Sequence, residues 1–292
     1  MQFLSSIPLV VTSALVIFSP LQEGGTTHVA QMIIRFLILA WAGGALALSI
    51  RQGRLTIPLL SVRYFVLVFL GFAVIATMFS PYAHPSRQWL FTIICYATLF
   101  YLLVSFVDRW EHVHTLTIVV VLMGVGEAAL TILQGLVWND MRPSGTFFNP
   151  NFLAGYLAVS WAILLSAAVY GYRRTAALHW LPISPTLWWF GVGASLGSLF
   201  LAVLLTQSRG GMIVVLVATV FIVMARYGWK VAGSCLVLLM VGGLLIPTPL
   251  RERVQAEHQQ NPVSYARLQM WQGALTQMAE HPLGIGLGLY QY

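Results

Sequence analysis

The chain has 292 residues, of which 59% are hydrophobic and only 8% charged, and its mean hydropathy is +0.82. A soluble domain needs more charge than this to cover its surface, so soluble enzymes and soluble binding modules are excluded. The net charge of +7 comes from arginines standing singly between apolar runs, not from a basic stripe interleaved with aromatics, which argues against nucleic acid as a partner.

Apolar runs of roughly 17 to 25 residues recur along the chain, each long enough to cross a bilayer core as a helix. In chain order they predict spans at about 3–21, 30–50, 57–79, 88–107, 115–137, 152–171, 188–206, 211–225 and 231–247. The expected fold class is all-α, a polytopic transmembrane helical bundle of about nine spans within residues 1–247. The first run lacks a basic leader and a small-residue cleavage site, so it reads as a retained span. Cys95 and Cys235 both fall inside spans, which points to neither a disulfide framework nor a metal site. With the N-terminus cytoplasmic, the inner connections hold Arg51, Arg54, Arg109, Arg173, Arg174, Arg226 and Lys230. The short outer connections hold Arg87, Arg142 and Arg209, and this asymmetry favours that orientation.

Residues 248–292 are too polar to span and form a second region on the outer side. Asn261 followed by Pro262 reads as a helix cap with proline in the first helical position. Tyr265, Leu268, Trp271, Leu275 and Met278 then recur at three- and four-residue spacing, predicting an amphipathic helix over about 262–280 that a glycine-rich turn, PLGIGLG, terminates.

Against this greasy background the stretch MRPSGTFFNPNFLAGY, residues 141–156, carries an unusual density of hydrogen-bonding groups. Asn151 is expected to cap the helix beginning at Phe152, and Ser144, Gly145 and Thr146 form a turn bearing hydroxyls. One reading is a helix cap at the membrane interface with Phe147 and Phe148 as an aromatic anchor. The other is a substrate cradle in which Arg142, Ser144, Thr146, Asn149 and Asn151 face an anionic or sugar ligand, backed by the positive end of a helix dipole.

A second short stretch, TQSRGG, places Ser208 and Arg209 at the same surface. Arg209 is either a snorkelling anchor or a phosphate ligand, since the guanidinium fork binds phosphate oxygens bidentately without a metal. Arg267, one turn from Trp271 on the amphipathic helix, is either half of an arginine–indole packing pair or a second phosphate ligand. Arg35, Arg63 and Glu127 lie inside spans; Arg35 and Arg63 are within a turn or two of the expected ends, close enough to snorkel, which leaves Glu127 as the deep one. Outer acids are scattered, with no D-x-D pair for a divalent ion on a diphosphate and no G-x-x-x-x-G-K-[ST] loop, so no metal and no cofactor is expected.

The blocks RPSGTFFNPNFLAGYL, LTQSRGG and ARLQMWQGALTQMAEHPLGIGLG, in that order over residues 115–292, resemble the O-antigen ligase family, which also includes O-antigen polymerases and protein O-oligosaccharyltransferases. The resemblance implies a multi-pass transferase of the bacterial inner (cytoplasmic) membrane with a periplasmic active side. Its implied donor is an undecaprenyl pyrophosphate-linked glycan, and its acceptor the lipid A core or another glycan or protein. It implies that Arg209 and Arg267 act catalytically on the carrier's pyrophosphate, with Ser208 and Trp271 among the substrate contacts. The family's histidine–asparagine block has no counterpart among His28, His84, His258 and His281, so the sequence reads as a truncated or divergent member lacking the usual base. A transporter of lipid-linked glycan or small solute is the competing class.

Overall fold

The computed structural model describes residues 2–51, 53, 62–107, 109–171, 184–245, 262–281 and 284–289. Ten α-helices run through them: α1 (Gln2–Leu21), α2 (His28–Arg51), α3 (Arg63–Met78), α4 (Ala83–Phe106), α5 (Trp110–Leu136), α6 (Pro150–Ser166), α7 (Pro185–Leu205), α8 (Arg209–Tyr227), α9 (Trp229–Leu245) and α10 (Pro262–Glu280). A π-helical turn, Ala167–Gly171, extends α6. Among the described residues the one β-type pairing is an isolated bridge between Glu23 and Phe147. Helix is the expected answer for such a chain, because lipid offers no partner to backbone N–H and C=O groups and a helix pairs them within the segment.

Each of the nine apolar runs coincides with a helix over its described residues, while residues 57–61 and 246–247 of the expected spans lie outside the described residues. Six helices are long and apolar enough to cross a membrane: α2, α4, α5, α6 with its extension to Tyr170, α7 and α8. The other three carry shorter apolar stretches, Pro8–Leu21, Arg63–Met78 and Trp229–Gly242. α10 is helical where the amphipathic stripe predicts it, and Leu268, Trp271, Leu275 and Met278 are all exposed. Asn261 and the Tyr265 side chain lie outside the described residues.

The chain groups into two compact units. One comprises Met1–Val11, Met32–Asp108 and Ala256–Tyr292, and the other Thr12–Gln31 and Arg109–Gln255. In the first unit α3 packs on α4, and Arg35 of α2 donates to the Thr92 hydroxyl of α4 at 2.6 Å while lying over the Phe91 ring. Arg35 is therefore held by a neighbouring helix, where the sequence suggests snorkelling to the surface. In the same unit the Ser86 hydroxyl donates to the Leu287 carbonyl at 3.2 Å, which seats the glycine-rich turn after α10 on the first turns of α4.

The second unit holds the larger core. Leu153 and Leu157 of α6, Leu199 and Val203 of α7 and Val215 of α8 are fully buried, and Trp161 packs against Phe200. The Trp161 indole donates to the Thr219 hydroxyl at 2.9 Å, a side-chain bond between α6 and α8. Small residues set the spacing, as in other bundles where lipid gives helices no hydrophobic reason to associate. A side chain at Gly124 of α5 would run into Ser160 of α6, and one at Gly211 of α8 into the Ala154 methyl of α6.

Gly124→Val is expected to cost about 1–3 kcal/mol through overpacking. Gly126→Ala, where nothing lies within 4 Å of the added carbon, should be neutral. Survival of the monodisperse protein after heating in detergent checks both.

Candidate functional site

The polar residues of the second unit gather at one end of it. The carboxyl ends of α1, α5 and α7 meet the amino ends of α6 and α8 there, as contacts among residues 20–24, 140–151 and 206–211 show. These are the connections that the basic-residue asymmetry assigns to a single side.

Residues 137–149 leave α5 through Asn139, which has a positive φ of 55°, and Asp140 accepts the Arg142 N–H on its side chain at 3.0 Å. The loop then folds back onto α5. The Gln134 side chain pairs with both backbone groups of Gly145, accepting its N–H at 2.7 Å and donating to its carbonyl at 2.9 Å. Glu127, one helical turn deeper on the same face beyond Thr131, lies 2.6 Å from the Thr146 hydroxyl and accepts the Thr146 N–H at 3.0 Å. The same hydroxyl is 2.6 Å from the Pro20 carbonyl at the end of α1. Gly145 has a φ of 60°, and any side chain there would meet Glu127 and Leu153, so the position requires glycine. Phe147 lies against Gly24 and the Tyr156 ring, half-buried, while Phe148 is exposed and stacks on Phe152. Only Phe148 thus suits the role of interfacial anchor.

The helix cap differs from the expected one. Asn149, in extended conformation, caps α6 by accepting the Asn151 N–H at 2.8 Å, and Pro150 takes the first helical position. Proline fixes its own φ and pushes the preceding residue into an extended conformation, so the cap belongs before Pro150. The Asn151 side chain is released from capping, and its oxygen instead accepts from Arg142 at 2.9 Å. Arg142 also donates to the Thr206 carbonyl at the end of α7, at 3.3 Å.

The turn from α7 to α8 is equally organised. Gln207, with a φ of 54°, donates from its side chain to the Met141 carbonyl at 2.6 Å, and the buried Ser208 hydroxyl caps α8 by accepting the Gly211 N–H at 3.3 Å. Arg209 is the first residue of α8 and is exposed. A cation at the positive end of a helix is disfavoured by the dipole. Because Gly211 brings α8 onto Ala154 of α6, two capped helix amino ends adjoin here, with Arg142 across one and Arg209 opening the other.

The structure therefore brings together Arg142, Thr146, Asn149, Asn151 and Ser208 of the expected site, with Arg209 next in the chain to Ser208. Thr146, Asn149 and Ser208 turn their polar atoms inward and hold the scaffold. Ser144 supplies a turn carbonyl to Phe147 N–H at 2.9 Å. Arg267 and Trp271 stand on α10 in the other unit; Trp271 is 70% exposed, and the Arg267 side chain lies outside the described residues. His281 closes α10 through its backbone, its N–H bonded to the Gln277 carbonyl at 2.8 Å. Sequence reasoning missed Gln134 and Gln207 and assigned Glu127 no partner. The spacing of Glu127, Thr131 and Gln134 on otherwise apolar α5 is a legible stripe of i, i+4, i+7 polar positions. Gly193–Gly197, GASLG, has the spacing of a nucleophile elbow, but it lies mid-helix in α7 and not on a strand-to-helix turn. Among the described residues no three metal-ligating side chains cluster.

Residues 194–292 match the family model described as O-antigen ligase, whereas no curated protein and no solved structure matches the chain. The matched stretch contains Ser208, Arg209, Arg267 and Trp271 and begins after the 141–156 loop. The match covers about a third of the chain and is a similarity of that stretch to the family.

Asn149→Ala is expected to cost about 1 kcal/mol through loss of the cap. Asn151→Ala should cost less, because it removes only the Arg142 contact. Thermal unfolding of the two variants in detergent ranks them, and the reverse order would restore Asn151 as the cap.

Proposed function

We propose, from the O-antigen ligase match over residues 194–292, that the chain transfers a glycan from undecaprenyl pyrophosphate to a hydroxyl of the lipid A core or a related glycan or protein acceptor, at the periplasmic side of the inner membrane. The observation that carries this reading is the pairing of the α6 and α8 amino ends beside Arg142 and Arg209. Two helix dipoles and two guanidinium groups favour an anion of high charge density. A lipid diphosphate is such an anion, and it is the leaving group of this reaction.

In the reaction the glycosidic oxygen of the diphosphate gains negative charge as its bond to the sugar carbon breaks. Arg209 and Arg267 are the residues assigned to neutralise it, each by a bidentate fork, so that positive charge is supplied by side chains and no metal is called for. Arg142, steadied by Asn151 and the Thr206 carbonyl, orients the second phosphate or the first sugar. Thr146, Asn149 and Ser208 serve this site from behind by fixing backbone positions. The acceptor hydroxyl, losing its proton to a base, attacks the sugar carbon opposite the leaving group and inverts it. Polymerase and protein oligosaccharyltransferase are variants of the same chemistry with another acceptor. A transporter calls for ionisable groups along a path through the bundle. Glu127, the deep one, is bonded to the loop instead, which favours the transferase.

Alkaline phosphatase fused after Asp140 should be active and after Arg174 inactive; the opposite pattern would put the site on the side where no lipid-linked donor is used. Arg209→Lys and Arg267→Lys should each lower glycan transfer on the order of a hundredfold with the protein still inserted, because lysine keeps the charge and loses the fork. Transfer from purified lipid-linked donor to acceptor in proteoliposomes measures it, and normal rates in both variants would return these arginines to anchoring and packing.

A further inference from the structure

The Thr146 hydroxyl has one proton and two short neighbours, the Pro20 carbonyl oxygen and Glu127 Oε1, each 2.6 Å away. A carbonyl oxygen only accepts, and the other carboxyl oxygen, Oε2, already accepts the Thr146 N–H at 3.0 Å. If the hydroxyl donates to Oε1, its lone pairs face the Pro20 oxygen at hydrogen-bonding distance with no hydrogen between them. One assignment turns all three contacts into bonds: Thr146 N–H to Oε2, Oε1–H to Thr146 Oγ, and Oγ–H to the Pro20 carbonyl. The setting agrees with it, since Glu127 is 3% exposed inside an apolar bundle, where an added Gly145 side chain would meet it alongside Leu153.

We propose that Glu127 is a positioning residue that holds the 141–149 loop as a hydrogen-bond donor, through the relay Glu127 Oε1–H to Thr146 Oγ–H to the Pro20 carbonyl. The relay ties the ends of α1 and α5 to the loop that presents Arg142 to Asn151. Its bearing on transfer rests on the proposed function; the hydrogen-bond assignment does not. Glutamine is the diagnostic replacement, because its amide N–H can donate to Thr146 Oγ while its carbonyl accepts the Thr146 N–H. An ionised glutamate that served only as an acceptor would not be replaced in this way.

The test uses the full chain in lipid nanodiscs with wild type, Glu127→Gln, Glu127→Leu, Thr146→Ser and Thr146→Val. Infrared difference spectra of wild type minus Glu127→Gln at neutral pH should show a protonated-carboxyl C=O band that shifts in deuterium oxide. Glu127→Gln and Thr146→Ser should keep transfer within about threefold of wild type, while Glu127→Leu and Thr146→Val fall by roughly tenfold or more, as expected when buried partners are left unmade. Loss of an ionised-carboxylate band in place of the protonated one, or equal damage from glutamine and leucine, overturns the donor assignment. Full transfer by Glu127→Leu overturns the positioning role. Absence of transfer in wild type itself would count against the proposed function alone, since the infrared spectra would still decide the relay.

Discussion

The second unit depends on how a polar loop is satisfied at the end of an apolar bundle. Each backbone and side-chain donor of residues 141–149 that lies below the surface needs a partner, and an unsatisfied one costs about 1–3 kcal/mol. α5 answers with two polar residues on one face of its last three turns, Glu127 and Gln134. Gln134 and Glu127 take the backbone at Gly145 and Thr146, Pro20 takes the hydroxyl, and Asn149 closes the amino end of α6. The loop is thereby tied to helices as well as to itself. Its geometry follows from the packing of α1, α5 and α6.

That attachment leaves the Asn151 side chain for another partner. Asn151, no longer a cap, is exposed beside the α6 amino end, and Arg142 lies between it and the α7 carboxyl end. The Thr206 carbonyl and the Asn151 side-chain oxygen help to fix its position. At α8 the same division of labour recurs: Ser208 caps from within, and Arg209 stands at the exposed first position, unfavourable for a helix taken alone. On the proposed function, a bound anion complements both the guanidinium and the helix amino end.

Much of this was legible in the sequence, for identifiable reasons. Helix positions followed from apolar length, because lipid leaves a segment no alternative to internal pairing. The two loops stood out as polar groups in excess of what a turn needs. What failed was the assignment of direction. Thr146 and Ser208 are hydroxyls in a motif and look like ligand donors, yet they point inward, and nothing in a one-dimensional string distinguishes a donor facing substrate from one facing a carbonyl 126 residues away. The Asn149 cap was legible in principle, since Pro150 prefers the first helical position and forces an extended residue before it. The arginine of α2 was misjudged because Thr92 lies 57 residues further on and its hydroxyl gives no sequence signal of partnership.

The use of polar groups rather than apolar packing to hold the loop has a physical consequence. An apolar latch between α5 and the loop would be as strong or stronger, because buried polar groups gain little net stability over well-packed hydrophobic ones. It would also tolerate sliding, since dispersion has no preferred direction and flexible side chains repack. Hydrogen bonds to the two Gly145 backbone groups and to the Thr146 N–H are directional, and a shift of one residue would leave all of them buried and unmade. The arrangement therefore selects one register at the cost of some stability. On the proposed function, a guanidinium that must meet a phosphate needs that selection more than it needs strength, because the bidentate fork is lost with small misalignments that a point charge would survive.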